Sequence, residues 1–369
     1  MKSIAPFSRR QFLSDASRFT ALSALAGAIP FPALASKRVN MPLADQTPLV
    51  DAGYAAVYQV AEGHYATISN PAKGFVTICN GGFLIGKDAG LLLEGFGTPP
   101  GARFQMEAYH KVTQIAPAGA LLTHYHFDHS MGSSVYGAHE VPLWGHVNAA
   151  KRIMDSYGAM QGADRAAFLA PLEKRLQNAK TDVAKQHAQG DLGAIGTVFD
   201  LANKTVLAFP NRPLDPAKLP LQIDLGHLPI SVEHYPGHSG TDLIVRSPEH
   251  KIVYTGDLLF SNSYPACFDE QCTMSGWRNT LKTFASWDKD TMFVPGHGLV
   301  CGQQGVQNLR DVFDDLSKQA EKMHKAGVPV SDAIDQYVIP DKFKNYPVFA
   351  WGLCIAGAIS KLYAELGAK

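Results

Sequence analysis

The chain has no net charge, because 33 basic side chains offset 33 acidic ones over 369 residues. No run of Lys and Arg gathers into a stripe or tail. A phosphate-backbone partner needs such clustering, so nucleic acid is not expected as a partner. Long apolar runs are also lacking. The stretch from Phe19 to Ile29 is about half the length of a bilayer-spanning helix, and no later segment is long and uncharged enough, so no stable membrane insertion is expected. The five cysteines, Cys79, Cys267, Cys272, Cys301 and Cys354, are odd in number and irregular in spacing, which excludes a disulfide framework. Only Cys267 and Cys272 are close enough in sequence to suspect a local bridge, with two buried thiols as the equal alternative. No internal repeat or low-complexity segment is present, which excludes a repeat architecture.

What is present is enough apolar material, 46% of the chain, for a large core. The N-terminus reads as an address. Ser8-Arg9-Arg10-Gln11-Phe12-Leu13 is a twin-arginine pattern, the apolar stretch follows it, and Ala33-Leu34-Ala35 supplies small residues for cleavage before Ser36. The expectation is a signal peptide over residues 1–35 and a periplasmic mature protein.

Short β-rich runs follow, among them Ala55 to Val60 and Phe75 to Cys79. Gly82 to Gly86 and Leu91 to Glu94 flank a turn-like Lys87-Asp88-Ala89-Gly90, as in a hairpin. Gly101 to Lys111 suits a helix, and Ala120 to Thr123 is a short strand that delivers the chain into His124. From about 148 to 190 the composition becomes amphipathic and helical, which reads as an insertion, either a peripheral bundle or a lid. Strands return from Leu219 to Leu259, and helices are expected over Gly276 to Trp287, Val306 to His324 and Ala350 to Leu366.

The chemistry concentrates in Thr123-His124-Tyr125-His126-Phe127-Asp128-His129, where three imidazoles and a carboxylate fall within six positions. All are ligand types for a borderline divalent metal. On an extended chain His124 and His126 point the same way and can grip one ion, while the turn that follows can carry Asp128 and His129 toward a second. Three further segments each put one ligand-type residue after a strand and beside glycine: Tyr235-Pro236-Gly237-His238, Tyr254-Thr255-Gly256-Asp257 and Val294-Pro295-Gly296-His297-Gly298. The remaining histidines have no comparable setting. Tyr125, Phe127, Tyr264 and Trp277, aromatic residues near these motifs, read as core packing ahead of pocket lining.

In this order the four segments resemble the ligand motifs of the metallo-β-lactamase superfamily, over roughly residues 50 to 300. Asn80-Gly81-Gly82-Phe83 and Gly276-Trp277 add a likeness to periplasmic members near sulfur-oxidation and quinoprotein loci. The resemblance implies an α/β fold, a four-layer αβ/βα sandwich with a helical insertion. It spans residues 50–330, with a C-terminal helical extension over 331–369. It implies two divalent metal ions, zinc by ligand type: one on His124, His126 and His238, the other on Asp128, His129 and His297, with Asp257 bridging. The implied activity is hydrolysis of an ester, thioester, lactone or related bond in a small-molecule substrate by a metal-bridging hydroxide, with Asp128 also handling the proton. A bridging aspartate favours that reading over β-lactam hydrolysis. A mononuclear iron persulfide dioxygenase, the alternative from another class, would leave His129 and His297 off the metal. A metal-binding protein without turnover is a third reading. One position departs from the family pattern: Glu94 stands where relatives carry an aspartate that supports a ligand.

Overall fold

A computed structural model describes residues 46–367, so the expected signal peptide lies outside the described residues. Two sheets form the centre. The first has eight strands in chain order: β1 (Val50–Asp51), β2 (Ala55–Ala61), β3 (His64–Ser69), β4 (Gly81–Ile85), β5 (Gly90–Leu93), β6 (Pro117–Leu121), β7 (Leu143–His146) and β8 (Arg212–Leu214). Pairing is antiparallel from β1 to β5 and parallel from β5 to β8. The second sheet runs β13 (Met292–His297), β12 (Ile252–Phe260), β11 (Leu243–Ser247), β10 (Pro229–His234), β9 (Leu221–Asp224), with only the β12–β13 pair parallel.

Alternation along the strands sets the layers, because successive side chains leave a strand on opposite faces. Leu84, Leu91, Leu93 and Leu121 of the first sheet meet Ile230, Val232, Val245 and Tyr254 of the second in one buried layer. Their neighbours Phe83 and Leu92 face the other way, onto Phe104 and Tyr109 of the helix Pro99–Val112. Val253 likewise turns outward, toward the helices Met274–Ala285, Gln303–Lys325 and Gly357–Glu365. The result is helix, sheet, sheet, helix, the expected αβ/βα sandwich.

Two expectations need correction. Phe75 to Cys79 is not a strand: the segment is irregular, Ile78 sits at φ 70°, and the buried Cys79 thiol donates to the carbonyl of Asp128 at 3.0 Å. Its apolar residues serve a cavity wall and not a sheet face. The helical insertion also runs further than position 190, as helices Ala149–Ser156, Arg165–Asn178 and Asp182–Lys204. Cys267 and Cys272 are both buried free thiols, so the local bridge is not formed.

The insertion is fastened to the C-terminal segment. Asp191 is 3% exposed, accepts from the Gly352 amide at 2.7 Å and pairs with Arg175 at 2.5 Å. Replacing Arg175 with Ala leaves that carboxylate short of its cation. Because the arginine is itself partly exposed, the expected loss is about 1–3 kcal/mol, read by urea unfolding. An unchanged midpoint would show that water replaces the pair.

Candidate metal centre

The site lies where loops from both sheets meet. β6 ends at Leu121 and releases the chain into the loop bearing His124 and His126, and the short helix Phe127–Ser130 follows with Asp128 and His129. The second sheet supplies His238 from the β10–β11 loop, Asp257 from within β12 and His297 from the end of β13. The Leu243 amide bonds the Thr123 carbonyl at 2.7 Å and ties the two sources together. The β12–β13 register shifts on both sides of Gly256, an irregularity of the kind that re-aims a side chain, here Asp257. Glycine beside the ligand types has a steric reason. A Cβ on Gly256, at φ +50°, would lie 2.3 Å from Thr123 Oγ1, and one on Gly296 would lie 2.0 Å from Asp257 Oδ1.

All seven sequence-predicted residues come together in two groups, His124, His126 and His238, then Asp128, His129, Asp257 and His297, each with its ligand atoms within 4.8 Å of one another. His126 Nδ1 is 2.8 Å from His238 Nε2 and 3.1 Å from His124 Nε2. In the second group His297 Nε2 lies 3.0 Å from Asp128 Oδ2, and His129 Nε2 lies 3.1 Å from Asp257 Oδ1. Asp257 faces both ways: its Oδ2 is 3.4 Å from His238 Nε2 and 3.9 Å from His124 Nε2.

The opposite ring nitrogens decide what these atoms are. His238 Nδ1 meets the Ala266 carbonyl at 2.9 Å, and His126 Nε2 meets Asp269 Oδ2 at 3.1 Å. Both partners only accept, so both nitrogens carry protons. Thr123 Oγ1 gives its own proton to Glu94 Oε1 at 2.5 Å and can therefore only accept from His124 Nδ1 at 3.1 Å. Three bare lone pairs consequently converge in the first group, an arrangement that repels itself unless a cation sits among them. In the second group the buried His129 Nε2 and Asp257 Oδ1 stand 3.1 Å apart, yet neither makes a well-directed hydrogen bond. Buried polar atoms are ordinarily satisfied, so these orphans fit a metal as well. Three neutral nitrogens beside a mixed nitrogen and carboxylate set suit borderline divalent ions.

The electrostatics agree. Burial, reinforced by neighbouring imidazoles, holds His124 well below its usual pKa, and burial takes His238 down to about 3. Burial would also lower His297, but Asp257 and Asp128 outweigh it and raise the ring to about 9. His124 and His238 thus resist a second proton, while His297 in the second group attracts positive charge.

Glu94 reaches the position that the departure from the family pattern put in question. At φ 72° it leaves the end of β5 turned inward, is 2% exposed, and brings Oε1 to 3.1 Å from His129 Nδ1. Asp269 was not found from the sequence. It is 2% exposed and gathers the Tyr125 hydroxyl at 2.6 Å, Arg152 Nη2 at 2.9 Å and the Gln271 amide at 2.7 Å besides His126. Burial would raise its carboxyl, yet His126 and Tyr125 hold it below the ordinary range. Its sequence neighbours Cys267 and Cys272 marked the segment only for thiol chemistry. Arg152, from the insertion, also packs over the Tyr125 ring at 4.6 Å.

A cavity of about 130 Å³ opens beside the groups, walled by Phe75, Ile78, Phe127, Phe260, Phe268 and Phe349. Phe127 and Tyr264 line it, whereas Trp277 is core: it is fully buried, donates to the Leu258 carbonyl at 2.9 Å and stands against His238.

The chain matches the family model described as the metallo-beta-lactamase superfamily over residues 74–297, and it belongs to that superfamily. It is 24% identical over 200 residues to uncharacterized proteins of Mycobacterium tuberculosis and Mycobacterium bovis, across 50% of this chain and 70% of each relative. Among solved structures it is similar to a stereoselective inverting sec-alkylsulfatase from Pseudomonas sp., with TM-score 0.55 and 14% identity over 84% of this chain. The match covers 50% of the sulfatase, so the chain spans about half the length of that neighbour. No helix among the described residues is long and apolar enough to cross a membrane.

Asp269 meets only His126 among the ligand-type histidines, so Asp269→Asn should weaken metal binding at the first group by about 10–100-fold and spare the second. Glu94 faces His129 and also takes the proton of the Thr123 hydroxyl that accepts from His124, so Glu94→Gln should weaken binding at both groups. Titration of chelator-stripped protein with zinc against a competing chelator reads both, and equal losses at both groups in Asp269→Asn would defeat its pairing with His126.

Proposed function

We propose that the chain is an exported hydrolase with two metal ions, zinc by ligand type, acting on an ester, thioester, lactone or related bond of a small molecule. The observation that carries this reading is the division of seven ligand-type residues, all buried but the partly exposed His297, into two groups joined by Asp257, open to a cavity. His124, His126 and His238 would hold one ion, and Asp128, His129 and His297 the other, with Asp257 shared between the two groups. Bound there, the ions would supply an activated water and polarise the electrophile.

The chain's own residues do the rest. Asp128 both belongs to the second group and lines the cavity, so it is the carboxylate suited to take a proton from water and return it to the leaving group. Water adds across the bond, hydroxyl to the electrophilic carbon and proton to the departing oxygen or sulfur. Asp269, Thr123 and the Ala266 carbonyl fix His126, His124 and His238 in the tautomers that leave bare nitrogens facing inward, and Glu94 sets its carboxylate 3.1 Å from His129 Nδ1. The complete second group supports this reading over the mononuclear iron dioxygenase.

Replacing His126 or Asp257 with Ala should remove at least one metal and lower hydrolysis by about a hundredfold or more. Elemental analysis is paired with assays on a thioester, a lactone, a cephalosporin, a phosphodiester and a secondary alkyl sulfate. Full metal content with unchanged rates in both variants would defeat the assignment.

Export rests on Arg9 and Arg10, which the twin-arginine reading makes essential together. Changing both to Lys should leave the full-length chain inside the cell, as judged by fractionation. Undiminished appearance of a shortened chain in the periplasm would rule out this route.

A further inference from the structure

The cavity beside the metal centre has an uneven division of polarity. Its charged and imidazole side chains are His126, Asp128, Asp257 and His297, all at the centre itself, and no Lys or Arg among the described residues lines it. Several polar groups in the wall are already engaged. Asn80 Nδ2 donates to the carbonyls of Pro295 and Gly298 at 2.9 and 2.7 Å, and Asn262 Oδ1 accepts from Asn308 and Tyr346 at 2.9 and 3.0 Å. Ser263 donates to the Pro347 carbonyl at 3.1 Å, and the Tyr264 hydroxyl is taken up by Tyr337 at 2.9 Å. What stays open to a ligand is mostly carbon, the aromatic wall together with Leu299, Pro347 and Leu353, beside uncharged groups such as Ser69, Ser261 and the Asn262 amide. Phe268 stacks on His126 with ring centres 4.7 Å apart and Phe260 on His297 at 5.1 Å, so the apolar surface runs right up to the metal-facing rings.

From this asymmetry we infer that the substrate is single-headed: one hydrolysable polar group sits at the metal centre and carries an uncharged, apolar tail into the cavity, where a second charge is selected against. The inference rests on the proposed metal centre and narrows its substrate class. A carboxylate or ammonium at the far end would lose its water and find no opposite charge in the wall, which a few neutral hydroxyl and amide groups do not replace. An alkyl or aryl tail exchanges water for the ring faces and gains from burial. Esters, lactones, thioesters and sulfate esters with simple hydrocarbon chains meet this rule. A β-lactam bearing a carboxylate away from its scissile amide, or a thioester on a charged peptide, breaks it. Pro347, Phe349 and Leu353 belong to the C-terminal segment, beyond the residues shared with the superfamily, so selectivity is set partly by a part of the chain outside the common fold.

The test uses the full mature chain loaded with zinc and two ligands that differ at one end only, octanoate and octanedioate, at about pH 8 where every carboxylate is ionised. Calorimetry should find octanoate bound at least about tenfold more tightly, and the matching 4-nitrophenyl esters should show the same order in kcat/KM. Equal or tighter binding of octanedioate, or no binding of either, would overturn the inference. Preference for octanoate without turnover of any ester would instead sink the hydrolase proposal and sustain the single-headed cavity. Leu353→Lys, at a half-buried wall position, should narrow the preference at least about fivefold by supplying the missing cation. An unchanged preference, with thermal melting showing a folded variant, would remove the C-terminal segment from selectivity.

Discussion

Three imidazole lone pairs and two carboxylates held within a few ångströms of one another oppose folding unless something positive lies between them, and much of this molecule is arranged to hold them there. The two sheets provide the stiffness. Their shared layer of Leu, Ile and Val fixes the distance between the loop after β6 and the ends of β12 and β13, and so decides whether Asp257 reaches both groups. The bulge at Gly256 and the bare approach at Gly296 are local costs of the same arrangement: neither favours a regular strand, and both let Asp257 stand between the two sets.

Orientation then matters as much as position. An imidazole presents a lone pair on one side only when a partner holds the proton on the other. The partners here differ in kind: a carbonyl for His238, a hydroxyl for His124 and a carboxylate for His126, while the Glu94 carboxylate stands 3.1 Å from His129 Nδ1. At Glu94 the backbone takes the left-handed region at φ 72°, and Thr123 grips the carboxylate through both its hydroxyl and its amide.

The ligand-type residues were legible because chemistry that needs several side chains at one point leaves a spacing in the chain. His124, His126, Asp128 and His129 lie within six positions, and His238, Asp257 and His297 each follow a strand beside glycine. The sandwich was legible for a related reason, since two-residue alternation and amphipathic helices record which faces are buried. Asp269 and Arg152 were not, because a buried carboxylate and the arginine that accompanies it look like surface residues until folding brings positions 117 apart to 2.9 Å. Phe75 to Cys79 misled for the opposite reason: an apolar run marks burial, and burial in a cavity wall and in a strand write the same letters.

The two segments outside the central sandwich act on the site through each other. The insertion reaches the first metal group through Arg152 and Asp269, while the C-terminal segment forms cavity wall through Phe349 and Leu353. They are also locked together. His187 stacks on Trp351 with ring centres 3.5 Å apart, and Asp191 holds the Gly352 amide so closely that a Cβ there would meet its carboxylate at 2.7 Å. A shift of the insertion would therefore move both the support of His126 and the wall that faces it. The geometry of the two ligand-type groups and the shape of the cavity beside them are in this way two readings of one packed unit, and a change at their seam should be felt in both.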